Sequence, residues 1–267
     1  MILRVENLTI SFTAEQEMEV VHDLSFAMEE GEVLGLVGES GSGKSITSLT
    51  IAGLCKAHQV ISQGSIIFDG VNMLTLSQKE KRSIQGAQIG MIFQEPLSAL
   101  NPTMKIGKQV EEVLLLHDSY SKKERYQKVM EALLDVELPN PEELYHKYPH
   151  ELSGGMRQRV AIASVIISKP KLLIADEPTT ALDINTQKAI IKLLKKLNKK
   201  YGIAMIFISH NLKVVRELCP RVLIMQDGVI VEQGNTADIF ANPQHNYTKR
   251  LLDAIPKSVE YENFYGK

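Results

Sequence analysis

The sequence of 267 residues predicts an α/β fold with a mixed sheet, an antiparallel β margin and an inserted α-helical subdomain. Three observations predict this fold. Short apolar runs end in polar residues, as parallel strands covered on both faces do. Asp-Gly pairs interrupt other strand-like segments, which is typical of hairpins. A stretch with helical periodicity separates two of the apolar runs, which indicates a helical insertion.

The strand predictions follow the chain. The first segment, "MILRVENLTISF" (1–12), alternates as a strand does. Three short apolar runs predict parallel central strands: "EVLGLVG" (32–38), "KLLIADE" (171–177) and "AMIFISH" (204–210). Two segments with Asp-Gly turns predict antiparallel additions at the sheet margin: "SIIFDGVNM" (65–73) and "VLIMQDGVIVEQG" (222–234).

Two helices have clear start signals. Ser121 and Glu124 have the spacing of a capping box. The apolar face expected to follow consists of Tyr126, Val129, Met130, Leu133 and Leu134. Asp183 is the expected cap of a second helix, which Gly202 ends. Its apolar face is Ile190, Leu193, Leu194 and Leu197, and its solvated face carries Lys195, Lys196, Lys199 and Lys200.

Composition excludes several classes of protein. The formal net charge is −2 and the signs are interspersed, so no global field attracts nucleic acid. Cys55 and Cys219 are too few for a disulfide framework and lack metal-ligand spacing, which fits a reducing cytoplasm. No run approaches the roughly 20 apolar residues of a membrane helix. A role at a membrane would therefore require other chains to span it.

The stretch "LVGESGSGKSITS" (36–48) predicts a phosphate-binding loop. Gly38, Gly43, Lys44 and Ser45 satisfy G-x-x-x-x-G-K-[S/T] between a predicted strand and a predicted helix. The N–H groups from Ser40 to Ser45 would point at phosphate oxygens, Lys44 would reach the β- and γ-phosphates, and Ser45 would hold Mg²⁺. The alternative is a glycine-rich surface turn with an incidental lysine, and the flanking elements disfavour it.

The segment "LLIADEP" (172–178) supplies two carboxylates at a strand end. Asp176 is expected at the carboxyl edge of the sheet, where it can hold the metal. Alternation is expected to turn Glu177 away from Asp176, in a position to polarise water for attack on the γ-phosphate. Helix capping would be the simpler reading of this pair without a phosphate loop nearby.

These motifs resemble those of ABC-type ATPases. The phosphate loop, "LSGGMRQR" (152–159), "LLIADEP", "ALD" (181–183) and His210 occur in that family's order and spacing. The resemblance implies that two ATPase domains meet head to tail and share two ATP molecules with Mg²⁺. It assigns ATP binding in cis to Phe12, Gly38, Ser40, Gly41, Ser42, Gly43, Lys44, Ser45 and Ile46. It assigns ATP binding in trans to Ser153, Gly154, Gly155 and Asp183.

Three further roles follow from the resemblance. Gln94 matches the glutamine that touches the metal or water, so the implied metal ligands are Ser45, Gln94 and Asp176. His210 matches the histidine that bonds the γ-phosphate, so the implied catalytic set is Glu177, His210 and Gln94. Phe12 stands where a tyrosine that stacks on adenine is more frequent, and a core role remains its alternative.

Three segments resemble the ATPases of oligopeptide, dipeptide and nickel importers: "FQEPLSALNP" (93–102), "YPHELSGGMRQR" (148–159) and "HNYTKRLLDAIP" (245–256). The motifs resemble the first of two sister ATPase types, which implies a heterodimer. Many peptide-transport members continue into a cysteine cluster. This sequence has none after the tail motif and in this resembles the shorter nickel-type members.

The sequence thus predicts an ATP-hydrolysing subunit at the cytoplasmic face of the membrane that energises an importer of short peptides or nickel. We expect a nucleotide-binding core (1–93 and 163–235), a helical subdomain (94–162) and a C-terminal tail (236–267). The expected partners are a sister ATPase, two membrane permeases and, indirectly, an extracytoplasmic binding protein, with no nucleic acid. The cargo would touch those partners, so this chain does not name it. The alternative is a soluble ABC-type ATPase without transport, and the sequence lacks the coiled-coil insertion or tandem domains that the repair and translation members carry.

Overall fold

The fold is described by a computed structural model over residues 1–13, 17–55, 59–94, 100–180 and 182–255. Parts of three quoted motifs lie outside these residues: 95–99, Ala181 and the end of the tail from Pro256. The strands are β1 (Leu3–Thr13), β2 (Glu17–Met28), β3 (Val33–Val37), β4 (Gln59–Phe68), β5 (Val71–Asn72), β6 (Ile89–Ile92), β7 (Leu172–Asp176), β8 (Ala204–Ile208), β9 (Arg221–Gln226) and β10 (Val229–Asn235). The helices are α1 (Lys44–Ile51), α2 (Gln78–Ile84), α3 (Ile106–His117), α4 (Lys122–Asp135), α5 (Pro141–His146), α6 (Gly154–Ile166), α7 (Ile184–Tyr201), α8 (Leu212–Leu218), α9 (Thr236–Ala241) and α10 (Asn246–Asp253).

The strands form two sheets. The six-stranded sheet has the order β10-β9-β3-β8-β7-β6, and only β10 runs antiparallel to its neighbour. The predicted mixed sheet and its parallel central strands are therefore confirmed. The hairpin of 222–234 lies at its margin as expected, but the hairpin of 65–73 does not. It belongs to a separate antiparallel sheet, β2-β1-β4-β5, because β4 pairs with the N-terminal strand β1.

The central sheet is buried on both faces, which explains its continuous apolar runs. In β3, Val33 and Val37 pack in the same apolar cluster as helices α3, α4 and α7, whereas Leu34 and Leu36 pack in the cluster that contains the second sheet and α1. The alternation of side chains along each strand divides these two cores. Because the parallel strands share one direction, the segments that follow β3, β6, β7 and β8 emerge at the same edge.

The predicted caps are present. Ser121 and Glu124 form a reciprocal capping box at the start of α4, and Asp183 caps α7, which ends at Gly202 with φ +66°. Leu134 was expected on the apolar face of α4, but it is 58% exposed. The cause is its position one residue after Leu133, which places it at the border of a narrow buried stripe. No helix among the described residues has the length and apolar character needed to cross a bilayer.

Candidate functional site

The predicted phosphate-binding loop connects β3 to α1. Gly38 begins it under tight packing, since a Cβ there would lie 2.1 Å from the carbonyl oxygen of Met225. Gly43 ends it as the residue before α1, with φ +98°, a conformation that side chains rarely adopt. The two outer glycines of the motif are therefore required by packing and by backbone conformation. Between them, Ser40 and Gly41 are exposed and Ser42 is buried.

Lys44 lies within the loop. Its Nζ donates to the carbonyl oxygens of Gly38 (2.8 Å) and Glu39 (2.6 Å) and to the Ser42 hydroxyl (3.1 Å). The residue is only 7% exposed. Burial lowers the pKa of this ammonium group. Lys44 is thus a buried cation that the backbone of the loop holds in place.

Two carboxylates partly oppose that shift in the pKa of Lys44. The charges of Glu177 and Asp176 both favour the ammonium form, so the three groups share one electrostatic environment. This places the residues after β3 and β7 at one site, as the parallel topology predicts. The next positions complete the start of α1: Ser45 is exposed and Ile46 is half-buried.

Asp176 ends β7 and is 9% exposed. Burial raises the pKa of its carboxyl group most strongly, Glu177 adds to the rise, and a hydrogen bond from Ser45 and the charge of Lys44 oppose it. The Asp176 carboxylate and the Ser45 hydroxyl thus place two oxygen atoms side by side. This donor set suits Mg²⁺, which takes one or two protein oxygens and completes its shell with phosphates and water. In the described residues, no cluster of three or more His, Cys, Asp or Glu side chains forms an all-protein metal cage.

Glu177 lies one residue beyond the end of β7. Its φ is +47°, and its N–H donates to the carbonyl oxygen of Ile208 on the neighbouring β8 (3.0 Å). The expected alternation from Asp176 to Glu177 is therefore the wrong argument, because β7 ends at Asp176 and the next residue turns into the left-handed region. The turn aims this carboxylate at residues that follow other strands.

Three side chains converge on the Glu177 carboxylate. His210 contacts Oε1 through Nδ1 (3.1 Å), while Thr180 (2.8 Å) and Gln94 (3.3 Å) donate to Oε2. Burial tends to raise the pKa of Glu177, but the hydrogen bonds from His210 and Thr180 outweigh it, so the pKa lies below its ordinary value. The carboxylate is ionised at neutral pH and fixed in direction, as a group that orients water must be.

This cluster unites the three residues predicted to be catalytic, Glu177, His210 and Gln94. Sequence reasoning missed Thr180. It lies between the quoted "LLIADEP" (172–178) and "ALD" (181–183). A threonine after a strand-end carboxylate has no distinctive signal, because the contact depends on the backbone turn at Glu177. Thr180 also donates its own N–H to the Glu177 carbonyl oxygen (3.2 Å), which closes the turn.

The predicted trans-acting residues lie together at another place. Ser153 caps α6 by accepting the Met156 N–H (3.3 Å), and Gly154 is exposed. A Cβ at Gly155 would lie 2.8 Å from the Thr186 side chain, and Thr186 is bonded to Asp183 (2.6 Å). The starts of α6 and α7 therefore pack against each other. Among the described residues, no hydrogen bond joins Ser153, Gly154 or Asp183 to the phosphate-binding loop.

Phe12 lies near the end of β1 and is half-buried. Its register partner on β2 is Met18, and two residues further along β2 the Val20 carbonyl oxygen would lie 3.1 Å from a Cβ at Gly43. The strand beside Phe12 therefore touches the phosphate-binding loop. Adenine stacking by Phe12 stays a prediction.

Comparison with known proteins gives two family matches. The profile described as "ABC transporter" matches residues 21–180, and that described as "Oligopeptide/dipeptide transporter, C-terminal region" matches 231–264. The oligopeptide transport ATP-binding protein OppD of Bacillus subtilis is 47% identical over 257 residues, which cover 96% of this chain and 72% of OppD. The dipeptide transport ATP-binding protein DppD of Haemophilus influenzae is 45% identical, with 97% and 79% covered.

Solved structures agree with these matches. A dimeric ATP-binding cassette, MJ0796 bound to ADP and Pi, has a TM-score of 0.77 at 30% identity, covering 88% of this chain and 98% of that one. The cbiO1 protein of Clostridium perfringens, part of the transporter complex cbiONQ, gives a TM-score of 0.78 at 31% identity, with 90% and 91% covered. The chain belongs to the ABC transporter ATP-binding proteins, the ATP-hydrolysing subunits of membrane transporters, and within them to the oligopeptide/dipeptide transporter family.

Proposed function

We propose that this chain binds MgATP between its phosphate-binding loop and a partner ATPase, and that its hydrolysis drives the import of short peptides at the cytoplasmic face of a membrane. The observation that carries the proposal is the convergence of Gln94, Thr180 and His210 on the Glu177 carboxylate, next to the buried pair Lys44 and Asp176. This arrangement can hold a triphosphate, a divalent cation and an oriented water molecule together.

In the proposed reaction, Lys44 and the loop N–H groups bind the β- and γ-phosphates. Ser45 and Asp176, assisted by Gln94, would hold Mg²⁺, and the ion would supply positive charge to neutralise the phosphates. Glu177 accepts a hydrogen bond from the attacking water and keeps it in line with the γ-phosphorus. His210, which is 63% exposed, holds Glu177 through Nδ1 and can bond the γ-phosphate through its other ring nitrogen.

The proposed dimer is head to tail. Ser153 and Gly154 are exposed at the start of α6, where free N–H groups and the helix dipole favour an anion. The absence of a bond from them to this chain's own loop, among the described residues, suits a phosphate supplied by another subunit. Asp183 lies beside them through Thr186. We propose a sister ATPase as that subunit, and the dimeric MJ0796 cassette supports the pairing of such domains.

The helical subdomain and the permease are proposed to meet at a groove. The groove has a volume of about 420 Å³ and lies beside β6 and α3. Phe93, which immediately precedes Gln94, is 43% exposed on it, and Leu116 is 74% exposed. A cytoplasmic helix of the permease with apolar side chains would cover this surface. Gln94 would then connect the ATP site to the permease, since it contacts Glu177 on one side and adjoins the groove on the other.

The proposed division of the chain follows from these roles: a nucleotide-binding core (1–93 and 163–235), a helical subdomain (94–162) and a tail (236–267). Helix α6 runs through the second boundary, from Gly154 to Ile166, and would carry motion between core and subdomain. The names of OppD and DppD favour oligopeptides or dipeptides over nickel as cargo.

The test is uptake in cells that lack this chain. We expect the wild-type chain to restore uptake of a radiolabelled tripeptide and Glu177→Gln to fail, because only the former hydrolyses ATP. Radiolabelled nickel is the parallel measurement. Restoration of nickel uptake without peptide uptake would overturn the proposal that the cargo is a peptide. Restoration of peptide uptake by Glu177→Gln would overturn the proposal that ATP hydrolysis drives uptake. A chain that hydrolyses ATP yet restores neither would be a soluble ATPase.

A further inference from the structure

The C-terminal helix α10 returns to the phosphate-binding loop. Tyr247, in its first turn, is 3% exposed, and its ring packs in the main apolar core. Its hydroxyl accepts the backbone N–H of Glu39 at 2.8 Å, across 208 positions of sequence. Glu39 directly follows Gly38, so the tail touches the first peptide groups of the loop. This contact has no part in the hydrolysis proposed for the Glu177 cluster.

The peptide groups of Glu39 are also bound on their carbonyl side. The Glu39 carbonyl oxygen accepts from the Lys44 Nζ at 2.6 Å and from the Ser42 N–H at 3.2 Å. Tyr247 and Lys44 therefore bind the same residue, the former at its N–H and the latter at its carbonyl oxygen. The Glu39 N–H also shares one planar peptide group with the Gly38 carbonyl oxygen, which accepts from the Lys44 Nζ at 2.8 Å. A rotation of this peptide group that broke the Tyr247 contact would therefore also move an oxygen that fixes the ammonium group.

The position of Tyr247 is itself determined by the sheet. Glu232 on β10 accepts the N–H groups of Gln244 (2.9 Å) and His245 (3.0 Å), which lie just before α10. His245 caps the helix by accepting the Tyr247 N–H at Nδ1 (3.3 Å). These bonds fix the segment before α10, since a carboxylate that accepts two backbone N–H groups resists reorientation. The strand, the cap and the ring together hold the hydroxyl against the loop.

We propose that Tyr247 is a positioning residue for the phosphate-binding loop: its hydroxyl holds the Glu39 N–H and so keeps the Lys44 ammonium in the geometry that receives the β- and γ-phosphates. This inference rests on the proposed phosphate-binding role of the loop. It gives the C-terminal motif "HNYTKRLLDAIP" a part in nucleotide binding. The tail acts through the loop and does not touch the nucleotide.

The first test does not depend on ATP. Tyr247→Phe retains the ring and removes the acceptor, so amide hydrogen exchange at Glu39 should accelerate about threefold to tenfold in the nucleotide-free chain. Tyr201→Phe is the matched control, since it removes a tyrosine hydroxyl that bonds Asp135 in a pocket whose described lining contains no residue of the phosphate-binding loop. Unchanged exchange at Glu39, or equal acceleration in the control, would overturn the proposal.

The second test measures nucleotide. In Tyr247→Phe we expect the Kd for MgATP to rise about threefold to tenfold, and the KM for ATP to rise with it while kcat changes by less than about twofold. Tyr201→Phe should keep the wild-type values. Faster exchange at Glu39 with unchanged MgATP affinity would show a contact without a positioning role. If the wild-type chain itself failed to bind ATP, the proposed function would fall while the exchange result still reported the contact.

Discussion

Glu177 and His210 contact each other across the carboxyl ends of two adjacent parallel strands, with 3.1 Å between Oε1 and Nδ1. The register explains the contact, since Asp176 and Ile208 are paired in the sheet and each residue follows its own strand closely. The bond between the Glu177 N–H and the Ile208 carbonyl oxygen extends this pairing by one step. The sheet thereby sets the distance between the two groups, and the contact needs no flexible loop.

Glu177→Gln tests the carboxylate. The amide can keep the bond from Thr180 but has no charge to orient water, so we expect ATP binding to persist and kcat to fall about 100-fold or more. Steady-state hydrolysis by the assembled complex measures this. The matched control is Glu131→Gln, which neutralises a half-exposed carboxylate paired only loosely with Lys169 (3.7 Å). Wild-type turnover in Glu177→Gln would remove this residue from catalysis.

Lys44→Ala tests the cation. The substitution deletes the ammonium that faces phosphate and also the donor to Gly38 and Glu39, so affinity for MgATP should fall by about 100-fold or more. Equilibrium binding to the isolated chain is the measurement, and Lys195→Ala on the solvated face of α7 is the control. Near-wild-type affinity in Lys44→Ala would contradict the role given to the loop.

That these residues lie at one edge of the sheet was predictable from the sequence, because its motifs follow strand ends. Gly38 and Lys44 follow β3, Asp176 ends β7 and His210 follows β8, so knowledge of a parallel sheet is enough to bring them to one edge. Contacts made by backbone turns were not predictable in this way. Thr180 reaches Glu177 only because the chain adopts φ +47° at that glutamate.

The same reasoning explains the misplaced hairpin. An Asp-Gly turn predicts that two neighbouring strands pair, as β4 and β5 do, but it carries no information about the sheet they join. That choice depends on the long-range pairing of β4 with β1. The contact of Tyr247 with Glu39 was equally hidden, since it joins residues 208 positions apart.

Asp176→Asn should stabilise the nucleotide-free chain while it impairs Mg²⁺-dependent hydrolysis. Burial raises the pKa of Asp176 in the fold, so its ionisation opposes folding. This loss of folding stability is absent below pH 3.8, the pKa of the group in the unfolded chain, and is complete above the raised pKa of the folded chain. We therefore expect a melting temperature about 2–4 °C above wild type at pH 7, with a gap that narrows as the pH falls towards 4. Melting curves across this range measure it.

If the melting temperatures of Asp176→Asn and wild type differed by the same amount at all pH values, the ionisation of Asp176 would not be the cause. A difference in packing alone does not depend on pH in this way. Asp238→Asn is the control, since it neutralises an exposed aspartate in the first turn of α9. Loss of hydrolysis together with a gain in stability would be the signature of a charge retained for the metal.

Gly154→Asp tests the shared site. In the isolated chain this substitution is tolerated by the structure, since a Cβ at Gly154 meets nothing within 4 Å and a carboxylate in the first turn of α6 suits the helix dipole. Across a dimer, the same carboxylate would face the γ-phosphate held by the sister subunit, where like charges repel strongly in a desolvated interface. We expect wild-type MgATP affinity in the single chain and about a 100-fold loss of ATP-dependent pairing.

The measurement is sedimentation of the variant with its sister chain, beside equilibrium binding to the variant alone. Gln78→Asp is the control, because it places the same charge at the first residue of α2, another exposed helix start. If Gly154→Asp paired normally with the sister chain, Ser153 and Gly154 would be no more than a helix cap. If binding by the single chain were lost as well, the defect would lie in this chain's own fold. Intact binding with lost pairing is the one result that a phosphate held between two subunits requires.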